Sequence, residues 1–219
     1  MKSALIFYGG WNGHTPKKAA ELTAKELERE NYKVTLSDSL ECLEKLAKLK
    51  KFDVIIPVWT MGSLSPDQAK NLCAAVKSGV GLAGFHGGMG DAFRGCTEYE
   101  WMIGGHFVGH PYVGEYTVRL ADVKSPVTKG MKKSFKYNSE QYYMLCDPGI
   151  KVLASTRYRH EDGNAEMPVV WTKRWGKGKV FYSALGHTAE ELECNSEILA
   201  MTIRGIKWAS KKKIMETGK

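Results

Sequence analysis

The sequence predicts an α/β fold on a mainly parallel sheet, and three observations carry that expectation. Short apolar runs that close on glycine or a polar turn alternate with amphipathic stretches through about the first 90 residues. Parallel strands need long crossovers, which such stretches supply as helices covering both faces of the sheet. Hydrophobic residues make up 43% of the 219 and charged residues 26%, enough for a core and too apolar for a disordered or fibrous chain.

The elements follow in order. Leu5–Tyr8, closed by Gly9-Gly10, reads as a buried strand feeding a loop. Thr15 then stands as an N-cap before Pro16, and Ala20, Ala24 and Leu27 recur at helical spacing to about Glu30. Tyr32–Leu36 reads as a second strand, and Leu40–Leu49 as a second helix with Leu43, Leu46 and Ala47 on one face. Asp53–Trp59 is a third, buried strand. A helix starts at Ser65-Pro66 and stops at Gly79, and Gly81–Phe85 is the fourth strand. Beyond residue 90 or so the pieces are strand-like, at Gly114–Leu120, Lys151–Thr156, Val169–Thr172 and Lys179–Ser183, extending or flanking the sheet. Ser196–Trp208 is a closing helix with Leu199, Ile203 and Ile206 turned to the core. With no repeat or linker, residues 1–219 are expected to form one domain.

Composition removes several function classes. The longest apolar run, Val54–Trp59, is far below the roughly 20 residues of a membrane span. Met1-Lys2-Ser3 leads directly into the first strand without a signal-peptide pattern, so a cytosolic location is expected. Five scattered cysteines without a CxxC pair indicate reduced thiols. The net charge is +8, but basic residues are interleaved with acids except at Lys211-Lys212-Lys213, so no nucleic-acid partner is expected. Gly9, Gly10 and Gly13 lack both the Walker ending and the dinucleotide spacing.

Ligands of open α/β sheets bind at the carboxyl ends of the strands. There the sequence places Gly9-Gly10-Trp11-Asn12-Gly13-His14, Thr60-Met61-Gly62, His86-Gly87-Gly88 and Gly186-His187-Thr188. His86, on a glycine-flanked turn after a buried strand, is the sharpest candidate, since packing rarely calls for a polar ring there. His187 serves equally as a functional ring or as a cap at the start of the last helix. Glu140, among aromatics in Ser139–Tyr143, suits a cleft or a pairing with Arg157 or Arg159. His106 and His110 have the spacing of zinc ligands on a helix, but the glycines around them argue against a helix and leave loop packing open. Trp59, Trp101 and Tyr142 fit a core as readily as a sugar-stacking cleft. His14 and His160 fall in loops expected to be exposed.

These residues carry a resemblance. The stretches Gly81–His86, Glu98-Tyr99 through Gly104-Gly105-His106-Phe107 to His110-Pro111, Ser125–Met131, Glu140-Gln141-Tyr142 and Pro168–Trp171 through Trp175–Tyr182 to Leu185-Gly186-His187 resemble the ThuA-like, trehalose-utilisation, family. Ser139 departs from it, because the family usually has an acid before the glutamate. The resemblance implies a three-layer, flavodoxin-like layout similar to the class I glutamine amidotransferases. In that fold the turn after Gly81–Phe85 carries a cysteine nucleophile. Here it holds His86, and an imidazole cannot form and hydrolyse a glutamyl thioester, so glutaminase activity is not expected.

The resemblance points to carbohydrate catabolism on trehalose-type disaccharides or their keto-sugar derivatives. His86, Glu140 and His187 are the expected catalytic set, acting as acid and base or as ligands of a divalent metal such as zinc. Substrate contacts are expected from His14, Trp59, Glu98, Tyr99, His106, His110 and Tyr142. The expected partner is a small-molecule carbohydrate, with neither nucleic acid nor membrane, and homo-oligomerisation is left open. The competing reading is a non-catalytic sugar-binding or accessory protein that has lost amidotransferase chemistry.

Overall fold

The computed structural model describes residues 1–160 and 163–211, with the side chain of His160 outside the description. The elements are β1 (Lys2–Gly10), α1 (Pro16–Arg29), β2 (Tyr32–Ser37), α2 (Leu46–Leu49), β3 (Val54–Thr60), α3 (Pro66–Lys77), β4 (Gly81–Phe85), α4 (Gly87–Gly90) and α5 (Thr97–Ile103). They continue with β5 (Gly105–Leu120), β6 (Ser134–Cys146), β7 (Lys151–His160), β8 (Gly163–Trp175), β9 (Gly178–Ser183), α6 (Ala189–Cys194) and α7 (Ser196–Ala209). Among the described residues, nine strands form one sheet in the order β2-β1-β3-β4-β9-β8-β7-β5-β6.

The sheet has two halves. β2, β1, β3, β4 and β9 pair in parallel, and β9 through β8, β7 and β5 to β6 pair antiparallel. The expectation of a mainly parallel sheet is therefore corrected beyond β9 in the sheet order, where all four pairings are antiparallel. Short links such as Gly176-Lys177, between β8 and β9, can join only antiparallel neighbours, and no crossover helix separates β5 to β9. Helix α1 packs on β1 and β2 and against α6 and α7, while α3 packs against α2 and α5. Trp171, Tyr182, Phe7 and Phe181 are wholly enclosed, each contributing about 1.5–3 kcal/mol through burial. Among the described residues no helix is long and apolar enough to cross a membrane.

Two expected elements change character. Leu40–Leu49 divides into a 3-10 turn at Leu40–Leu43 and the short α2, with Lys45 extended between them. The reason is tertiary: Gln68 donates to the Leu40 carbonyl, and Asn71 to those of Leu43 and Glu44, so acceptors that a helix would use are taken by α3. Helix α3 itself begins as expected, with a reciprocal capping box between Ser65 and Gln68. Thr15 precedes α1, but at φ 47°, and its hydroxyl accepts from the Ala189 N–H instead of capping its own helix. That bond ties the start of α6 to the turn after β1.

β3 pairs with β4 only through Val54 and Ile55, so the two strands part at Ile56-Pro57. Proline's missing N–H costs no ladder bond to β4 there. Helix α4 seats against β3 beside the opening, at the carboxyl ends of the parallel strands.

Candidate functional site

Three histidines and a glutamate meet at these strand ends. His14 comes from a 3-10 turn after β1, His86 from the turn after β4, and His187 from the loop after β9. His86 holds φ 47° and ψ −143°, a conformation that a non-glycine residue adopts at a cost of about 1–3 kcal/mol. Its backbone is bolted in place: its N–H donates to the Ser183 carbonyl at 2.6 Å, and its carbonyl accepts from the Gly90 N–H at 2.9 Å and the Tyr182 hydroxyl at 3.2 Å. The sharp turn therefore aims the ring inward.

Glu140 and Tyr142 arrive from β6, five strand positions from β4, which a flat sheet would place about 24 Å away. Yet Glu140 Oε2 lies 3.4 Å from His86 Nε2, so the β5–β6 hairpin curls back over the strand ends, with irregular register at Phe107–Tyr112. Glu140 Oε1 lies 3.5 Å from His110 Nε2 and 3.8 Å from His187 Nε2. The carboxylate faces imidazoles, not Arg157 or Arg159. The ring centroids of His14, His86 and His187 are 4.9–5.1 Å apart.

The inner nitrogens of two rings are fixed from outside. His86 Nδ1 shares a 2.9 Å hydrogen bond with the Tyr142 hydroxyl, and His14 Nδ1 a 2.7 Å bond with the Thr60 hydroxyl. His86 Nε2, His187 Nε2 and Glu140 Oε2 are buried without a hydrogen-bond partner. A cavity of about 10 Å3, room for one water-sized sphere, is lined by His14, His86 and His187 together with Val58, Thr60 and Phe85, and not by Glu140. A larger surface hollow of about 660 Å3, between Leu120 and Lys133, offers lysines and no convergent acid, base or ligand set.

Burial, helped by the rings of His86 and His187, lowers the His14 pKa to about 3, and burial also lowers that of His86 against the pull of Glu140. Glu140 is lowered to about 2: burial pushes it up, but contact with His86 and the fields of His187 and His110 outweigh this. Glu140 is thus held as a carboxylate, and burial favours the neutral rings of His14 and His86. The folded pKa values of His14 and His86 lie below the unfolded value of about 6.5, so acid protonates the unfolded chain first. Chelator-treated protein should therefore lose melting temperature progressively from about pH 6.5 downward, and His14→Gln should flatten part of that slope. A melting temperature independent of pH between 7 and 4 would contradict this assignment of charge.

The other expected contacts scatter. His14, expected to be exposed, is 8% exposed and sits inside the cluster. Its seat exists because residue 87 is glycine: a Cβ there would lie 2.2 Å from His14 Cε1. Tyr142 is buried beside His86, and His110 stands exposed at the rim. Glu98 is exposed on α5, and Tyr99 is wholly buried with its hydroxyl on the Met89 carbonyl, so neither lines the cluster. His106 pairs with Glu100 at 3.6 Å, on β5 and not on a helix. Trp59 lies over Gly9 and Gly62, turned from the face that Thr60 presents to His14, and Trp101 is exposed against Trp175. The His160 side chain lies outside the described residues.

Three contributors escaped the sequence reading. Thr60 orients His14, and its position at the end of a buried strand was the available signal. Trp11, half exposed, stands edge-on to His14 at 4.7 Å. Glu191 accepts from the Tyr137 hydroxyl, from the Ser139 hydroxyl at 2.9 Å and from the His187 N–H at 3.2 Å. Ser139 thus recruits a carboxylate from α6 and locks the His187 loop to β6. The cap of α6 is Thr188, not His187.

The model of the ThuA family, described as trehalose utilisation, matches residues 3–209. No curated protein matches the chain. Among solved structures, the chain is similar to a ThuA-like protein from Bacteroides uniformis at 19% identity and TM-score 0.76, covering 95% of this chain and 91% of that one. A ThuA-like protein from Parabacteroides merdae matches at 19% identity and TM-score 0.74, over 99% and 93% of the two chains. A β-galactosidase from Bacillus circulans sp. alkalophilus matches at 15% identity and TM-score 0.61, over 96% of this chain and 31% of that one. At these identities the likeness is one of fold.

Proposed function

The chain belongs to the ThuA, trehalose-utilisation, family, and from that premise we propose that it is a sugar-catabolic enzyme acting on keto-sugar derivatives of trehalose-type disaccharides. Family membership implies a role in trehalose utilisation. The catalytic set is His86, Glu140 and His187. The observation that carries this reading is their convergence at the strand ends, with His86 Nε2, His187 Nε2 and Glu140 Oε2 buried and without a hydrogen bond.

The strand order β2-β1-β3-β4-β9 supports a flavodoxin-like layout similar to the class I amidotransferases, with the two helix groups as outer layers. The residue on the sharp turn after β4 is His86, which argues for chemistry other than thioester formation. A keto-sugar suits a neutral imidazole. The proton next to the carbonyl is acidified by it, and a base of near-neutral pKa removes that proton most effectively. His187, the more accessible of the two catalytic rings with 26% of its side chain exposed, is the group that meets the substrate. Glu140 stabilises the imidazolium formed on it. The internal cavity is too small for a sugar ring, so the disaccharide lies at the rim, beside His110 and Trp11, and presents one group inward.

Single-turnover assays with trehalose and its 3-keto derivative test this reading. The expected result is conversion of the keto-sugar, with no turnover of trehalose. Saturable sugar binding without product would replace it with the accessory-protein reading, and neither binding nor product would remove both.

A further inference from the structure

We propose that His14, His86 and Glu140 form a mononuclear site for a divalent transition metal, zinc by the chemistry of its donors, with His187 left beside it as the substrate-facing ring. One donor atom each from His14, His86 and Glu140 lie within 4.8 Å of one another. Tetrahedral zinc, with bonds of about 2.0–2.1 Å, spaces its ligands roughly 3.3–3.4 Å apart. The 3.4 Å between His86 Nε2 and Glu140 Oε2 meets that spacing. Two imidazoles with one carboxylate select zinc and its first-row neighbours over calcium or magnesium, which take oxygen ligands.

Two independent features separate this cluster from a chance meeting of polar groups. Buried polar atoms are almost always paired, yet of the six described buried side-chain atoms without a hydrogen-bond partner three, His86 Nε2, His187 Nε2 and Glu140 Oε2, gather at this one place. Second, Tyr142 and Thr60 bond the Nδ1 atoms of His86 and His14, the arrangement by which metal-binding imidazoles are oriented through their second nitrogen. The proposal places His14 among the ligands, where the sequence suggested a substrate contact. It does not depend on the sugar chemistry.

The test uses the full chain, stripped with chelator, dialysed and titrated with zinc chloride by calorimetry and with cobalt chloride by visible absorption. One equivalent should bind, cobalt should give the strong visible bands of a low-coordinate nitrogen and oxygen site, and zinc should raise the melting temperature. His86→Ala and Glu140→Gln should weaken binding at least 100-fold. Thr60→Val and Tyr142→Phe keep every donor and should weaken it by about 10–100-fold, which keeps the test decisive if the ligand variants fold poorly. Cys194→Ser, which removes an exposed thiol, should bind as the wild type. No binding by the wild type, or wild-type affinity in both His86→Ala and Glu140→Gln, overturns the proposal. Metal binding without turnover of keto-sugars would uphold the site and remove the proposed function, and turnover of keto-sugars by a protein that binds no metal would do the reverse.

Discussion

His86→Ala and His187→Ala are each expected to lower single-turnover conversion of the keto-sugar by a factor of about 10²–10⁴, the contribution of a positioned acid or base. Both should remain folded. His86 Nε2 is buried without a hydrogen bond, so its removal discards a polar atom whose desolvation is not repaid, and the loss of packing, of the Tyr142 hydrogen bond and of the contact with Glu140 offsets that gain. A net change on the order of 1 kcal/mol shifts the melting temperature of a chain this long by about 2–4 °C. His86→Gly provides a second variant that relieves the strained backbone at φ 47° and should be at least as stable as the alanine variant. Wild-type conversion by both alanine variants would end the catalytic assignment. A drop in conversion accompanied by a collapse of the thermal transition would show a structural role instead.

Gly10→Ala carries the largest expected cost in stability. Residue 10 has φ +78°, and a Cβ there would lie 1.9 Å from the Thr60 carbonyl oxygen. Backbone cannot yield as a side-chain tip does, so the ends of β1 and β3 would have to separate. That separation breaks the bond from the Trp11 N–H to the Thr60 carbonyl and moves the hydroxyl that orients His14. The loss should exceed about 3 kcal/mol, lowering the melting temperature by roughly 6–12 °C. Gly95→Ala is the comparison: φ is similar at +81°, but nothing lies within 4 Å. It should pay only the left-handed backbone term, about 1–2 kcal/mol. Equal transitions for the two variants would show that the close approach at Gly10 is relieved at little cost.

The legible part of this molecule was the part specified locally. Strands β1 to β4 and helices α1, α3 and α7 each announce themselves within one window, through apolar periodicity and a cap or glycine stop at the boundary. His86 and His187 were legible for the same reason, as imidazoles at the ends of buried strands. β6 was not read as a strand at all. Its alternation of Glu140, Tyr142 and Met144 inward with Tyr143 and Leu145 outward carries the period of two, but the inward row mixes a carboxylate with aromatics, since part of it faces a polar site rather than a core.

Sequence alone determined the α/β class of the first half, the strand-end position of the candidate chemistry and the absence of a thiol on the turn after β4, because each follows from residue type and spacing along the chain. Tertiary structure alone decided that His14 is inside and Glu98 outside, that Leu40–Leu49 is not one helix, and that Glu140 from the sheet's far edge meets His86. Those outcomes depend on which backbones approach one another: the curl of the β5–β6 hairpin, the bare Cα of Gly87 under the His14 ring, and the carbonyls claimed by Gln68 and Asn71. Such contacts join residues far apart in the chain, and no local pattern records them.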